Sequence, residues 1–330
     1  MHLSSMGLRH FDEKRMISQP HVELKRQIER EAATSALASR FLAKLADRYI
    51  VDRQFGRGGM GLVYLARDAK LGRQVAIKVL RPDVANRINS DRFWSEIRLT
   101  ATLQHPHILP VLDTGCLDDV YYCITPYLAE GSLRKPLLEG GAFLPERATS
   151  IALDVLEALE YAHERKVVHC DIKPENILLS NGHAILTDFG VARSMKRLSG
   201  KAYDESWGSP EYVSPEQASG DEQLDGRSDL YSLACVFYEM LAGSSLFQGS
   251  TTRAIVAQRF AGPAARLRQA PSSVPQEIVD TLQKALAVDP AERFQTAAAL
   301  AAELAAVLPQ DAPTMRSAAG VRDWWRNNGL

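Results

Sequence analysis

An α+β, two-lobed fold is what this sequence predicts, and three observations carry the prediction. Short β-like runs separated by turns fill the chain as far as about Tyr127, and from Leu133 the apolar residues fall three and four apart instead. The 330 residues exceed one small domain, so two lobes or a domain with extensions is expected. Hydrophobic residues at 45% and charged residues at 24% are ordinary globular values, enough for a large core.

The same numbers exclude several functions. A net charge of −1 leaves no basic stripe, so no nucleic-acid partner is expected. Cys116, Cys123, Cys170 and Cys235 form no CxxC pair and no His/Cys zinc spacing, which fits free thiols in a reducing cytosol. The longest apolar stretch, Leu230 to Ala242, is broken by Ser232 and Glu239 and is too short for a bilayer. The first residues lack a compact apolar signal run. A soluble, cytoplasmic chain with no membrane span is the expectation.

Along the chain, residues 1–47 form an N-terminal extension. Leu24 and Ile28, and then Leu37, Phe41 and Leu45, recur four apart, predicting an amphipathic helix on the main domain or on a partner; a solvated extension is the alternative. The runs YIVDRQF, GLVYLAR, QVAIKVL, ILPVLDTG and VYYCITPY then predict a small sheet, with one helix near residues 91–104 that Pro106 terminates. SIALDVLEALEYAH and IVDTLQKALAV predict the helical lobe. The tail, residues 309–330, closes with VRDWWRNNGL, whose Trp pair caps the core or touches a membrane surface.

Within the sheet, FGRGGMGLVYLAR places Gly56, Gly58 and Gly61 ahead of Val63. Glycines let backbone amides approach phosphate oxygens. The pattern also opens dinucleotide-binding units, but those run into a helix, and here a strand continues towards VAIK. VAIK ends at Lys78, a cation on a strand. Glu96 lies in the helical stretch, where it is able to point at Lys78 as an ion pair.

HCDIKPENIL at residues 169–178, followed about a dozen residues after Asn176 by DFG, gives these residues a common context. The chain resembles the Hanks-type protein kinases from about Arg48 to Leu308, and is most similar in local texture to the bacterial serine/threonine group, through GRGGMG, LQHPHILPVLD and GSPEYVSPEQ. The resemblance implies the protein kinase fold: an N-terminal five-stranded antiparallel sheet with one helix (small lobe 48–126), then a hinge and a mainly helical lobe (127–308). It implies ATP and Mg2+ as cofactors, protein substrates with Ser or Thr acceptors, and self-association for trans-autophosphorylation.

It also implies roles. Asp171 accepts or orients the proton of the attacking hydroxyl, Lys173 balances the γ-phosphate, and Asn176 and Asp188 supply hard oxygen ligands suited to magnesium. Lys78, paired with Glu96, meets the α- and β-phosphates. Val63, Ala76 and Leu178 sandwich the adenine, while the Pro126 carbonyl and the Leu128 backbone reach its edge. Thr125 stands at the pocket's rear and is small enough to admit bulky inhibitors behind it. Glu216 pairs with Arg293, and Asp229 braces the catalytic loop. Glu175 is a solvated carboxylate or a preference for basic residues near the target hydroxyl. Cys170 departs from the family's arginine: a thiol cannot grip an activation-loop phosphate, so catalysis is expected to survive and phosphate-dependent switching to weaken. Two other readings stay open, a nucleotide-sensing scaffold without transfer and the intracellular part of a membrane receptor kinase.

Overall fold

β-branched and aromatic residues set the first half. The computed structural model describes residues 41, 43–58, 61–80, 98, 100–117, 120–189 and 209–307. Strands β1 (Tyr49–Gly58), β2 (Gly61–Asp68), β3 (Gln74–Leu80), β4 (Asp113–Leu117) and β5 (Val120–Pro126) form one five-stranded sheet, in the order β1-β2-β3-β5-β4. Every neighbouring pair is antiparallel. Alternation sends Leu62, Tyr64, Ala66, Val75, Ile77 and Val79 into one buried cluster, leaving the other face for Val63, Ala76 and Lys78. Phe41, helical and 2% exposed, packs into that cluster against Tyr122, ring to ring at 5.1 Å. Most of the expected 91–104 helix, with Glu96, lies outside the described residues, as do most of residues 1–47 and the 309–330 tail; Arg98, Thr100 and Ala101 are helical.

Gly61 owes its identity to sheet packing. A Cβ there would stand 2.0 Å from the Val79 carbonyl oxygen across the β2–β3 pair, a separation no side chain can take without moving the backbone.

Among the described residues, eight α-helices build the second half: α1 (Arg134–Gly140), α2 (Pro145–Glu164), α3 (Pro215–Ser219), α4 (Gly226–Ala242), α5 (Thr252–Ala257), α6 (Ala264–Leu267), α7 (Gln276–Ala285) and α8 (Ala297–Val307). Pro145 opens α2 at the first turn, where its missing N–H costs nothing. Residues Ser228 to Leu241 of α4 are all buried, which fits a sequence apolar on every face. α2, α4, α7 and α8 surround one large core. A two-stranded hairpin, β6 (Ile177–Ser180) with β7 (His183–Leu186), lies against α2. A third small cluster, Leu109, Leu128 and Ile185 with Leu178 against it, joins the halves.

α3 is fixed at both ends of its single turn. Ser214 and Gln217 form a capping box across the spacing S-P-E-Q. Glu216 accepts two hydrogen bonds from the Arg293 guanidinium, both at 2.8 Å, and a third from Ser228 Oγ. Arg293 is buried over the Tyr231 ring and also donates to the carbonyls of Ala287, Val288 and Arg227. Burial alone would raise the Glu216 carboxyl's pKa, but the hydrogen bonds from Arg293 and Ser228 hold it below its ordinary value. Such a group binds fewer protons folded than unfolded, so its contribution is complete above the ordinary carboxylate pKa and is lost as pH falls through the folded one. Removing one partner of a buried pair costs about 3–5 kcal/mol. Arg293→Ala is therefore expected to lower the unfolding free energy by about that amount in denaturant titrations at neutral pH, and by less in acid; equal losses at both pH values would contradict the pairing.

Candidate active site

Both halves contribute to one cleft of about 590 Å³, within the range of small-molecule sites. Gly56, Gly61 and Val63 from β1 and β2, Ala76 and Lys78 from β3, and Thr125, Pro126 and Leu128 at the crossover line its upper side. Asp171, Lys173, Asn176, Leu178 and Asp188 line the lower. Gly58 ends β1 opposite Gly61, at the tip of that hairpin. Of the residues expected from sequence, all but Glu96 are thus described, and all but Gly58 and Glu96 line this space.

The lower side is held by the loop from His169 to Asn176. The His169 ring donates from Nε2 to the Thr187 carbonyl at 2.8 Å, which leaves Nδ1 to accept from the Asp171 amide at 3.2 Å. The ring also lies against Phe189, centroids 4.6 Å apart. Asn176 Nδ2 donates to both the carbonyl and the carboxylate of Asp171, at 2.8 and 2.9 Å. Lys173 Nζ donates to the same Asp171 carboxylate at 2.8 Å. Burial would lower the Lys173 pKa, but the Asp171 charge raises it instead.

Lys78 reaches across the cleft to Asp188, Nζ to Oδ2 at 2.6 Å. Burial works to raise the Asp188 pKa, and Lys78 overcomes it, so Asp188 stays ionised below its usual range. Sequence reasoning matched Lys78 to Glu96 and did not foresee this contact, which spans 110 residues.

Four described non-glycine residues hold a positive φ, Lys166, Cys170, Asn181 and Asp188, and two of them belong to the site: Cys170 at φ 64° beside Asp171, and Asp188 itself at φ 65°. Cys170 is 3% exposed, its amide donates to Asp229 Oδ1 at 2.8 Å, and its carbonyl accepts from Gln217 Nε2 at 3.1 Å. That burial leaves the thiol out of reach of reagents. Asp229, in the first turn of α4, accepts from the His169 amide with its other oxygen at 2.8 Å, and from His163 Nε2 at 2.8 Å. The expected brace is therefore three hydrogen bonds on one carboxylate.

Behind Thr125 a pocket of about 50 Å³ opens between Lys78, Tyr122, Cys123, Thr187 and Phe189. Cys123 lines both spaces, but burial pushes its thiol up to about 12, so it is a poor nucleophile. Outside the cleft proper, Arg134 binds Glu175 and Glu239, each at 2.7 Å, and Tyr212 at 2.5 Å. Glu175 stays exposed to solvent, as expected, and is also engaged by the chain's own arginine. No local signal foretold that network.

Residues 49–304 match the protein kinase domain family. A probable serine/threonine-protein kinase of Streptomyces coelicolor is 40% identical over 80% of this chain and 40% of its own length. Serine/threonine-protein kinase PrkC of Bacillus subtilis is 35% identical over 81% of this chain and 42% of its own, and PknB of Mycolicibacterium smegmatis 38% over 82% and 44%. The chain thus spans less than half the length of these relatives. In fold it is similar to the crystal structure of Rad53 in complex with AMP-PNP, TM-score 0.64 at 24% identity, covering 77% of this chain and 64% of that one. Among the described residues, no helix is long and apolar enough to cross a membrane.

The Asp229 brace has a measurable weight. An amide in place of the carboxylate keeps one acceptor where two backbone amides need two. Asp229→Asn is expected to cost about 1–3 kcal/mol in unfolding free energy; a variant as stable as the wild type would remove Asp229 from the frame.

Proposed function

The chain belongs to the protein kinase family, and from that premise we propose that it transfers the γ-phosphate of Mg·ATP to serine and threonine hydroxyls of proteins, its own included. One observation carries the reading: Lys78, Asp171, Lys173, Asn176 and Asp188 line one end of a cleft whose other end, at Val63, Ala76 and Leu178, is apolar. Phosphoryl transfer asks mainly for positioning and charge neutralisation, and those five side chains are of the types it needs.

Asp171 orients the acceptor hydroxyl and takes its proton. Lys173, 2.8 Å from Asp171, carries the charge that faces the transferred phosphoryl group. Ser209 lines the same cleft beside them and fits a hydroxyl-bearing floor for the substrate chain. Lys78 serves the α- and β-phosphates. Asn176 and Asp188 offer an amide and a carboxylate oxygen, a donor set that fits magnesium. The ion, when bound, neutralises charge on the phosphate oxygens. A phosphate on Lys78 and a cation on Asp188 would replace the direct contact between them. At the apolar end the adenine lies between Val63 and Ala76 above and Leu178 below, with the Pro126 carbonyl and the Leu128 backbone at its edge; that Rad53 was crystallised with AMP-PNP supports this assignment.

Cys170 enters as control rather than chemistry. Buried and without a forked cation, it offers an activation-loop phosphate nothing to pair with. Activity should therefore depend little on phosphate in that loop. With Glu175 and Glu239 already bound by Arg134, basic residues near the target hydroxyl gain little there.

Purified chain is expected to move labelled γ-phosphate from Mg·ATP to itself and to a generic acceptor, on Ser or Thr, with Asp188→Asn silent and phosphatase-treated chain as active as untreated. Tight nucleotide binding without transfer to any acceptor would overturn the reading in favour of a nucleotide-sensing scaffold. A second expectation concerns the rear pocket. Thr125→Met fills its mouth and should weaken bulky ATP-competitive inhibitors at least tenfold while leaving ATP use intact; unchanged potency would mean that they do not pass Thr125.

A further inference from the structure

Three polar side chains converge where α2, β7 and the segment before β4 meet. Asp154 projects from α2, His183 is the first residue of β7, and His107 belongs to the segment that pairs with Leu186 through both its own carbonyl and the Leu109 amide. His107 and Asp154 are buried and His183 is partly exposed. None of the three has a role in the transfer described above.

Their protons are placed by the backbone. His107 Nδ1 lies 2.8 Å from the Ala184 carbonyl oxygen, which only accepts, so Nδ1 carries the hydrogen and Nε2 of the neutral ring presents a bare lone pair. That lone pair faces Asp154 Oδ1 at 3.6 Å and Glu157 Oε2 at 3.8 Å. His183 Nδ1 stands 3.3 Å from Asp154 Oδ2, which is itself fixed by the Ala184 amide at 2.9 Å. His107 Nε2 thus faces two carboxylates across distances too long for a hydrogen bond, while His183 holds Asp154 only by a long one. A cation between them would satisfy all of them.

We propose that His107, Asp154 and His183 form a binding site for a transition-metal ion of the zinc class, with Glu157 or water as the fourth ligand. Zinc with nitrogen and oxygen ligands at about 2.0–2.2 Å sets ligand-to-ligand separations of about 3.3–3.6 Å in a tetrahedron. The three ligand atoms lie within 4.8 Å of one another; His107 Nε2 stands 3.6 Å from Asp154 Oδ1 and His183 Nδ1 3.3 Å from Asp154 Oδ2, so a small rotation of the carboxylate and rings draws them onto one ion. Ala184 supplies the outer support that metal ligands ordinarily have, its carbonyl orienting His107 and its amide orienting Asp154. Two imidazoles and a carboxylate select zinc, copper or nickel over magnesium, so the site is chemically distinct from the Asn176 and Asp188 oxygens. Exposed Glu157 and partly exposed His183 mark the way in. The bound ion would tie α2 and the 105–109 segment to β7, the strand that leads straight to Thr187 and Asp188.

The test titrates metal-free full-length chain with Co2+ in excess Mg2+, reading the visible absorption of a four-coordinate cobalt site. One cobalt per chain is expected, displaced by Zn2+, unchanged in Asp188→Asn, and bound at least tenfold more weakly in His183→Ala. Zn2+ should raise the melting temperature of the wild type and not of the variant. His183→Asn, which keeps a polar group towards Asp154, repeats the measurement if the alanine variant folds poorly. No cobalt spectrum, equal affinity in the wild type and both His183 variants, or loss of the spectrum in Asp188→Asn would each overturn the proposal. Equal affinity would also betray binding by His2, His10 or His21 instead.

Discussion

The lower wall of the cleft hangs from the carboxylate of Asp229. Two consecutive backbone amides, those of His169 and Cys170, turn inward to its two oxygens, and His163 supplies the third donor. Burial alone would favour the neutral acid, yet the donors around it keep Asp229 below its usual pKa. Its place in the first turn of α4 adds the favourable end of the helix dipole. Through Cys170 the hold passes on, because Gln217 of α3 grips the Cys170 carbonyl and Glu216 beside it is locked to Arg293. A buried helix, a loop and a one-turn helix are therefore tied together, and Asp171, Lys173 and Asn176 stand on that loop.

Within the cleft the charges arrive already matched. Lys78 holds Asp188, and Lys173 holds Asp171, so each carboxylate is aimed without any ligand to organise it. Asn176 adds two neutral donors to Asp171, narrowing its freedom further. Preorganised charge of this kind is what electrostatic stabilisation of a charged ligand requires.

Much of this was legible in the sequence, and what was not has a common cause. The alternation in GLVYLAR and QVAIKVL gave the strands, and the spacing of His169, Asp171, Lys173, Asn176 and Asp188 gave the lower wall, because both are local patterns. The Glu216–Arg293 pair was reached through resemblance, not pattern. Long-range choices stayed hidden. Lys78 meets Asp188 110 residues away, Arg134 gathers partners 41, 78 and 105 residues away, and the positive φ of Cys170 belongs to the loop and not to cysteine. Gly61 was read as room for phosphate, whereas the contact that fixes it is the Val79 carbonyl of the next strand.

The β6–β7 hairpin has a consequence for how such chains can vary in length. Ile177 pairs with Leu186 and Ser180 with His183, so Asn176 and Asp188 leave the two strands from the same end. The turn at Asn181 and Gly182 lies at the other end and, with its left-handed residues, projects away from that junction. Insertions at the turn would lengthen the hairpin outward and leave the gap between Asn176 and Asp188 as it is. A single residue gained or lost within either strand would instead invert the side chains beyond it, carrying Leu178 off the cleft wall. The hairpin is thus a caliper, open to drift at its handle and closed to it along its jaws.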